Sequence, residues 1–355
     1  VYIQNQLMMK GDCTGPLSAK FVLRDPTVDF AVLECARGGL LKAGLAFQNC
    51  NVSIVTNVTA DHLGLGGIDS LEQMARAKAV VPETTFPHGF AILNAEDDLV
   101  YHMHQGLSCH VAYFSMDEHN PRIQNHCKKG GYAAVFENGY VSILKGTWKI
   151  RVMKVSEIPI TYGGKAIHNI MNTLPAVLAT YLFKDISIED IRTALSTFVP
   201  SPSQTPGRLN LFEFRDFKFL VDFAHNPAGL ELLCDFVKKM DGSPKVGIIS
   251  GTGDRRDDDI RELGRISGRS FDEIIIRQDK NLRGRTAEEI VNLLVEGINE
   301  TKLHDIPIKI IYNEKEAILY AYDNAKPGSL ITIMCDVVAE ALDLIKLLKE
   351  KEDQS

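Results

Sequence analysis

The sequence predicts a two-domain α/β protein, in which a mostly parallel sheet with an antiparallel meander is followed by a Rossmann-like, doubly wound sheet. The chain has 355 residues, which is too long for one ordinary core and long enough for two domains of roughly 150–200 residues. Short apolar runs alternate with segments of helical periodicity, a pattern typical of buried parallel strands. The proline-rich stretch 199–208 separates two such series, so we predict domains at 1–200 and 207–355.

The first series contains four apolar runs that predict strands. They are FAVLEC (30–35), VSIVTNV (52–58), FAILN (90–94) and HVAYFS (110–115), and helical patterns lie at 71–81, 165–182 and 188–198. The segment 132–160 differs, because apolar and polar residues alternate and the pairs Asn138-Gly139 and Lys145-Gly146 are typical of tight turns. This segment therefore predicts an antiparallel hairpin or meander added to the first sheet.

The second series contains five apolar runs that predict strands. They lie at 218–223, 245–250, 272–277, 308–312 and 329–334. Helical patterns lie near 227–240, 257–269, 286–299, 314–325 and 336–349. This alternation predicts the doubly wound domain, with helices on both faces of a parallel sheet.

Composition and charge narrow the class of protein. Hydrophobic residues make up 45% of the chain and charged residues 24%, which is ordinary for a globular protein. No apolar run approaches the ~18 residues of a membrane span, and a net charge of −7 argues against general nucleic-acid binding. We therefore expect the protein to bind neither a membrane nor a nucleic acid. The seven cysteines are scattered without a CxxC pair, which indicates reduced thiols in the cytoplasm rather than a zinc knuckle or disulfide framework.

Polar residues that follow the apolar runs are the candidates for function, because ligands of open α/β sheets bind beyond the carboxyl ends of the strands. One such residue alone is more often a helix cap or part of a solvated loop, but repetition at successive strand ends favours a ligand site. In the first domain the candidates are Glu34, Asn57, Asp61, His62, Asn94 and Asp97. In the second domain they are Asp222, His225, Asn226, Gly251, Gly253, Asp254, Arg255, Asp279 and Arg283.

Three residues of the first domain point to specific chemistry. Glu34 supplies a carboxylate of the kind that binds Mg²⁺ together with substrate phosphates. His62 follows another strand and could complete that site, although a buried histidine is more often a hydrogen-bonded core residue. Lys78 lies on a predicted helix with one buried face, and its simpler interpretation is an exposed lysine beside Arg76.

In the second domain, basic residues lie where an anion would bind. Arg208 follows the linker, and a guanidinium at a domain junction can bind a phosphoryl group through its planar fork. The stretch IISGTGDRR (248–256) places a glycine-rich turn between a strand and a helix, an arrangement typical of anion binding. Asp254 and Arg255 lie in that turn.

These motifs, in this order, resemble the Mur ligase family over nearly the whole chain. The matching stretches are ARGGLL (36–41), NVTADHLG (57–64), ARAK (75–78), LNAEDD (93–98), HNIMNTLPAVLA (168–179), PGR (206–208), DFAHNP (222–227) and GTGDRR (251–256). More narrowly, the stretches 11–41, 57–83 and 274–285 are similar to the carboxyl-terminal, Mur-like half of the cyanophycin synthetases. The resemblance implies a Mur ligase-like central domain followed by the Rossmann-like C-terminal domain.

The resemblance also implies roles in catalysis and metal binding for matching positions. Glu34 and His62 would bind Mg²⁺. Lys78 matches a lysine that is carbamylated in several Mur ligases. Arg208 and His225 would contact the phosphates of ATP and take part in catalysis with Lys78.

Further positions are implied in nucleotide and substrate binding. Asn169 or Asn172 would lie near the adenine, and Asp222 with Asn226 would position the nucleotide. The incoming amino acid would be recognised around Asp254, Arg255, Asp279 and Arg283. An acidic residue there, Asp254 or Asp279, could pair with a guanidinium.

The family's glycine-rich P-loop, which ends in Gly-Lys-Thr/Ser and binds phosphates through its backbone and lysine, is not found in this sequence. The stretch GDCTGPLSAK (11–20) lacks the lysine–threonine pair. We therefore expect the chain to be a fragment truncated before Val1 and inactive as given. The resemblance implies that an ATP-grasp half of the same protein precedes it.

The function that the resemblance implies is ATP- and Mg²⁺-dependent amide ligation on an aspartate–arginine polymer. L-Arginine would be added to the β-carboxylate of a terminal aspartate through an acyl phosphate, by an enzyme that we expect to be a homo-oligomer. One alternative is another Mur-type ligase: a relative that joins dipeptides, a peptidoglycan ligase or a folylpolyglutamate synthetase. A different class is a non-catalytic module that binds polymer or a partner, and the simplest is a two-domain α/β protein without a nucleotide site.

Overall fold

A computed structural model describes residues 1–4, 6–9, 11, 13–60, 66–183, 185–302 and 304–354 of the chain. The chain divides into two compact units. Unit 1 comprises Val1–Ile158 and Asn169–Thr197, and unit 2 comprises Pro159–His168 and Phe198–Ser355. Among the described residues, no helix combines the length and apolar character needed to cross a membrane.

Unit 1 is built on a six-stranded mixed sheet. The strands of the unit are β1 (Tyr2–Ile3), β2 (Gln6–Leu7), β3 (Cys50–Val55), β4 (Thr85–Asn94), β5 (His110–Ser115), β6 (Tyr132–Glu137), β7 (Tyr140–Lys145) and β8 (Trp148–Lys154). The helices are α1 (Pro16–Leu23), α2 (Arg37–Ala43), α3 (Leu71–Glu83), α4 (Asp98–His102), α5 (Pro121–Lys128), α6 (Ile167–Tyr181) and α7 (Ile188–Thr197).

The sheet order in unit 1 is β3-β4-β5-β6-β7-β8. Strands β3 to β6 are parallel, and β6, β7 and β8 form an antiparallel meander. The meander confirms the prediction made from the alternation and the Gly-containing turns at 132–160. Core residues of β4 and β5, such as Ile92, Leu93 and Phe114, are almost entirely buried because both faces of these central strands are covered.

The predicted strand at 30–35 is wrong. Residues 30–36 have no regular secondary structure, and Phe30 and Val32 are 55% and 87% exposed. A strand requires a neighbour for its backbone hydrogen bonds, and the described six-stranded sheet ends at β3 without pairing to this segment. An apolar run of six residues reports hydrophobicity, whereas the presence of a pairing partner depends on the fold.

Unit 2 is built on a second six-stranded sheet. Its strands are β9 (Asn210–Glu213), β10 (Lys218–Asp222), β11 (Lys245–Ile249), β12 (Glu273–Ile276), β13 (Ile308–Ile310) and β14 (Leu330–Met334). Its helices are α8 (Pro227–Lys239), α9 (Asp257–Gly268), α10 (Ala287–Thr301), α11 (Glu314–Asp323) and α12 (Val338–Asp353).

The strand order in unit 2 is β13-β12-β11-β14-β10-β9. All neighbours are parallel except β9, which lies antiparallel to β10 at one edge. The predicted α/β fold class is confirmed, and β9 is an edge strand that the apolar runs did not predict. Because the five parallel strands point the same way, the residues that follow β10, β14, β11 and β12 lie side by side at one edge.

Helices α9 and α10 approach each other at two glycines. A Cβ atom on Gly297 would lie 2.0 Å from the carbonyl oxygen of Arg261, and one on Gly264 would lie 2.3 Å from that of Leu294. Real Cβ atoms do not come this close to backbone. The packing distance of the two helices therefore depends on the absence of these side chains.

We predict that Gly297→Ala destabilises the protein by about 1–3 kcal/mol, because overpacking a tight contact costs more than the roughly 1 kcal/mol that Ala gains over Gly inside a helix. Urea denaturation followed by circular dichroism measures the difference. Asn299→Ala, on an exposed turn of the same helix, is the matched control and should leave stability unchanged or slightly higher. Equal stability of Gly297→Ala and wild type would contradict the close approach.

Candidate functional site

In unit 2, the corner before β9 is shaped by Gly207 and Asn210. Gly207 has φ +70°, a left-handed conformation that favours glycine, and a Cβ there would lie 2.8 Å from the side chain of Val338. Its N–H donates to Asn210 Oδ1 at 2.7 Å, and its carbonyl accepts from Phe223 N at 2.9 Å. These bonds hold the PGR turn against the carboxyl end of β10.

Asp222, the last residue of β10, holds the same corner from inside. Its side chain is 8% exposed, and its Oδ2 accepts a hydrogen bond from Leu209 N at 2.9 Å. Leu209 has the strained φ of +49°, and its carbonyl accepts a hydrogen bond from the hydroxyl of Tyr162. Leu209 is thus held through both its N–H and its carbonyl, which fixes the backbone on the carboxyl side of Arg208.

Burial raises the pKa of Asp222, although the Leu209 N–H and the charge of Arg208 act in the opposite direction. Burial also raises the pKa of Tyr162 to about 12, and the charge of Asp222 adds to this shift. Keeping a carboxylate in such an environment costs stability. A buried, perturbed acid at a strand end is typical of a functional position.

Arg208 and His225 both pack against Phe223. The guanidinium carbon of Arg208 lies 5.7 Å from the centre of the Phe223 ring, and the imidazole centroid of His225 lies 5.0 Å from it. The Nδ1 atom of His225 is 3.0 Å from the carbonyl oxygen of Phe223, which orients the imidazole. Two groups that can contact phosphate are therefore held near the carboxyl end of β10.

Asn226 caps helix α8. Its Oδ1 accepts from Gly229 N at 2.7 Å, and Pro227 follows as the first helical residue, as is usual at helix starts. The structure therefore brings Arg208, Asp222, His225 and Asn226 together in unit 2. It shows a capping bond for Asn226, whose role in nucleotide binding stays a prediction.

The ends of β11 and β12 carry the predicted substrate residues. Arg283, at φ +50°, forms an ion pair with Asp254 at 2.6 Å. The other oxygen of Asp254, Oδ1, is buried and has no hydrogen-bond partner among the residues that the structure describes. Arg255 is 6% exposed. Arg285, in the loop after β12, donates hydrogen bonds to the Gly253 and Arg255 carbonyls at 2.9 Å each, which joins this loop to the one after β11.

Asp279 belongs to a buried charge network that the apolar pattern did not reveal. Its Oδ1 accepts from Arg277 at 2.6 Å and from Ser250 Oγ at 2.9 Å. Arg277 is 2% exposed and also lies 3.1 Å from Glu314, whose carboxylate accepts from Asp336 N at 2.6 Å. The signal for Arg277 was available, since an arginine directly after a buried strand requires a partner.

In unit 1, Lys78 lies on α3 and its side chain reaches the segment that follows β3. Its ammonium donates to the carbonyl of Asn57 at 2.9 Å. The side chain of Asn94 donates to Thr56 O at 2.8 Å, and Asp97 Oδ2 accepts from Val58 N at 2.7 Å. The carboxyl ends of β3 and β4 are thereby joined, with Lys78 beside them.

Glu34 is exposed and lines an open cavity of about 650 Å³ together with Thr14. Asp61 and His62 lie outside the described residues, so the predicted pairing of Glu34 with His62 stays a prediction. Within the described ranges, no three histidine, cysteine or acidic residues come together as a metal site. A carboxylate facing open space is nonetheless compatible with Mg²⁺, which is usually held by one or two carboxylates and substrate phosphates.

The predicted adenine-binding residues lie on α6. Asn172 is exposed and Asn169 is half-buried, and a spacing of three residues places both on one side of the helix.

All seven cysteines are free thiols.

Two family models match the chain. The Mur ligase middle domain matches residues 11–180, and the Mur ligase glutamate ligase domain matches residues 207–336. The chain belongs to the Mur ligase family. Unit 1 contains most of the middle domain and the strand ends near Lys78, and unit 2 contains the C-terminal domain with Arg208 and His225.

Among curated Mur ligase relatives, the cyanophycin synthetase of Synechocystis sp. is 47% identical over 98% of this chain and 40% of its own length. The cyanophycin synthetase of Crocosphaera subtropica is 48% identical over 97% of this chain and 39% of its own. The chain thus spans about two fifths of these relatives. A diaminopimelate-adding UDP-N-acetylmuramoyl-L-alanyl-D-glutamate ligase of Caldanaerobacter subterraneus is 24% identical over 86% of this chain and 58% of its own.

Solved structures show the same fold. MurF from Acinetobacter baumannii aligns with a TM-score of 0.65 and 18% identity, covering 96% of this chain and 70% of its own. E. coli FolC in complex with DHPP and ADP aligns with a TM-score of 0.61 and 17% identity, covering 84% and 62%.

We predict that Asp222→Asn raises stability at pH 7 and that the gain shrinks toward pH 4. The pKa of Asp222 is raised above 3.8 in the folded protein, so the stabilising effect of its protonation is fully present below about pH 3.8. This effect is lost as the pH rises through the higher folded-state pKa. The asparagine removes the buried charge and still accepts from Leu209 N.

Urea denaturation at pH 4, 5, 6 and 7 measures this dependence. Asp235→Asn is the matched control, since Asp235 lies on α8 with its side chain 52% exposed. The change in stability caused by Asp235→Asn should be similar at pH 4 and pH 7. A gain for Asp222→Asn that is the same at pH 4 and pH 7 would show that burial does not raise the pKa of Asp222.

Proposed function

We propose that the protein is an ATP-dependent amide ligase of cyanophycin synthesis, which adds L-arginine to the β-carboxylate of a terminal aspartate. The observation that carries this proposal is the 47% identity to a cyanophycin synthetase over 98% of the chain. It is supported by the cluster of Arg208, Asp222 and His225 at the end of β10.

The reaction proceeds in two transfers. An oxygen of the aspartate β-carboxylate attacks the γ-phosphorus of ATP, and the bond to ADP breaks to give an acyl phosphate. The α-amine of arginine then attacks the acyl carbon, phosphate leaves and the amine loses a proton. Such chemistry needs positioning and charge neutralisation more than a protein nucleophile.

In this proposal, Arg208 and His225 contact the phosphates of ATP. Asp222 acts through the Leu209 peptide to hold Arg208 in place. Asn169 or Asn172 lies near the adenine, and Lys78 acts at the end of β3, with or without carbamylation. Glu34 and His62 would hold Mg²⁺, which neutralises charge on the transferring phosphate.

The guanidinium of arginine is recognised in unit 2. Asp254 is the favoured contact, because its side chain is 24% exposed whereas that of Asp279 is 11% exposed. Asp279 has a supporting role, because Arg277 and Ser250 already use its Oδ1. Arg255 lies beside this site.

The remaining partners also follow from the likeness to cyanophycin synthetases. The substrate is an aspartate–arginine polymer, and an ATP-grasp half of the same protein supplies its aspartate. The enzyme acts as a cytoplasmic homo-oligomer.

We predict arginine-dependent release of ADP. The intact protein is mixed with ATP, Mg²⁺ and a short aspartate–arginine primer that ends in aspartate, with and without arginine, and ADP is measured by a coupled assay. His225→Ala should lower kcat by about 10²–10³-fold, since it removes a contact to transferring charge. His304→Ala, an exposed histidine of the same unit, should retain the wild-type rate.

Other patterns of ADP release would favour the alternative functions. Release with a different amine or with a dipeptide would indicate another Mur-type ligase. Absence of release with every substrate would favour a non-catalytic module.

We further predict that Asp254→Asn raises the KM for arginine about tenfold or more, because a charge-assisted bond to the guanidinium is worth roughly 1.5–3 kcal/mol. Asp258→Asn, whose side chain is 88% exposed at the start of α9, is the matched control. For Asp279→Asn we expect lower stability and a smaller change in KM. An unchanged KM in Asp254→Asn would exclude its contact with arginine.

A further inference from the structure

The register of the unit 1 sheet aligns five side chains on one face. Phe90 of β4 pairs with His110 of β5, and Tyr132 of β6 pairs with Ala112, two residues after His110 on the same face. Tyr132 pairs in turn with Lys145 of β7, which pairs with Trp148 of β8. The five strands thus contribute one residue each to a row that crosses the sheet over about 19 Å, at ~4.8 Å per strand.

Tyr181, at the end of α6, completes the row. Its ring lies 6.2 Å from that of Tyr132 and 6.2 Å from that of Trp148, and the rings of Tyr132 and Phe90 are also 6.2 Å apart. Trp148 is 43% exposed. We call these six residues, Phe90, His110, Tyr132, Lys145, Trp148 and Tyr181, the aromatic row.

The aromatic row lies at the edge of the sheet opposite to the candidate site of unit 1. His110 and Tyr132 are the first residues of β5 and β6, whereas Lys78 contacts the carboxyl end of β3. A six-residue parallel strand is about 20 Å long. The row is therefore a separate surface, and neither nucleotide binding nor phosphoryl transfer accounts for it.

The charge of the row is specific. Lys145 places its ammonium 4.2 Å from the centre of the Tyr132 ring and 3.0 Å from the hydroxyl, so a cation already lies on one ring. The rings of Phe90, Trp148 and Tyr181 offer faces for further cations. Lys145 and His110 supply donors for carboxylates.

We propose that the aromatic row binds the growing aspartate–arginine polymer, an inference that rests on the proposed function. An arginine joined through its α-amine keeps both its guanidinium and its α-carboxylate. Guanidinium planes stack on aromatic faces, and the carboxylates pair with Lys145 and His110. A ligand with guanidinium groups alone would contact only the rings, and a ligand with carboxylates alone would contact only Lys145 and His110.

The spacing of the rings fits an extended polymer backbone. Alternate residues of an extended chain repeat every 6.4–6.8 Å or so, and three consecutive ring separations in the row are 6.2 Å. Every second arginyl side chain of an extended polyaspartate would thus meet a ring. The row would retain the polymer while its end is extended elsewhere.

The single tryptophan of the chain is Trp148, so its fluorescence reports on this surface directly. The 355-residue chain is titrated with an aspartate–arginine oligomer of about eight dipeptide units, and with polyaspartate and polylysine as single-charge controls. We expect a saturable change of Trp148 emission that is strongest with the aspartate–arginine oligomer.

Variants of Tyr181 separate stacking from bulk. Tyr181→Leu keeps an apolar side chain but removes the ring, and should raise the half-saturation concentration roughly threefold to thirtyfold. Tyr181→Phe keeps the ring and should bind like the wild type. Tyr312→Ala removes an exposed tyrosine of unit 2, 53% accessible, and should change nothing.

Three results would overturn the inference. The first is a Trp148 emission that does not change when the oligomer is added, and the second is a Tyr181→Leu variant that binds the oligomer like the wild type. The third is an emission change that depends on protein concentration alone, with dimers in sedimentation, which would make the row a self-association surface. Arginine-dependent ADP release is measured in parallel. ADP release without a Trp148 response would contradict polymer binding by the row and support the ligase function. A saturable Trp148 response without ADP release would support polymer binding by the row and contradict the ligase function.

Discussion

The hydrogen bond from Leu209 N to the buried Asp222 carboxylate is the interaction on which the candidate site of unit 2 depends. It holds a non-glycine residue at positive φ, a conformation that persists only where the surroundings impose it. The Tyr162 hydroxyl donates to the carbonyl of the same residue, Leu209. Arg208, directly before it, therefore leaves the corner in a fixed direction beside His225.

Buried charge recurs along the same edge of the sheet. Arg277 lies between Asp279 and Glu314 with almost no exposure, and burial raises the pKa of Glu314, opposed by the charge of Arg277. A network of this kind is weak evidence for stability, because desolvation offsets the attraction of the pairs. Its consequence here is geometric, since it orients the loops that carry Asp254 and Arg283. The edge combines rigid backbone corners with fixed charges, which suits the binding of phosphates and a charged amino acid that we propose.

Strand and helix positions could be predicted where the pattern was long. The second series of apolar runs matches β10 to β14 within one or two residues, and the helical patterns match α8 to α12 closely. The short helices α1, α2, α4 and α5 were not predicted, because five to eight residues give too few turns for a periodic signal. The run at 30–35 failed for the opposite reason, since its apolar residues satisfied the pattern but found no strand to pair with.

The sequence alone determined the fold class, the antiparallel meander and the set of polar residues at strand ends, because hydrophobic period and turn residues are local properties of the chain. It also placed Asp222, His225 and Asn226 close together, since all three lie within five residues. Only the tertiary structure decided that Asp222 acts on Leu209, that Asp279 pairs with Arg277, and that Trp148, Tyr181 and Phe90 form one row. Leu209 and Asp222 are 13 positions apart, and the row depends on strand register, which no local pattern specifies. Arg277 and Asp279 are only two positions apart, but their pairing depends on the direction that the buried guanidinium takes.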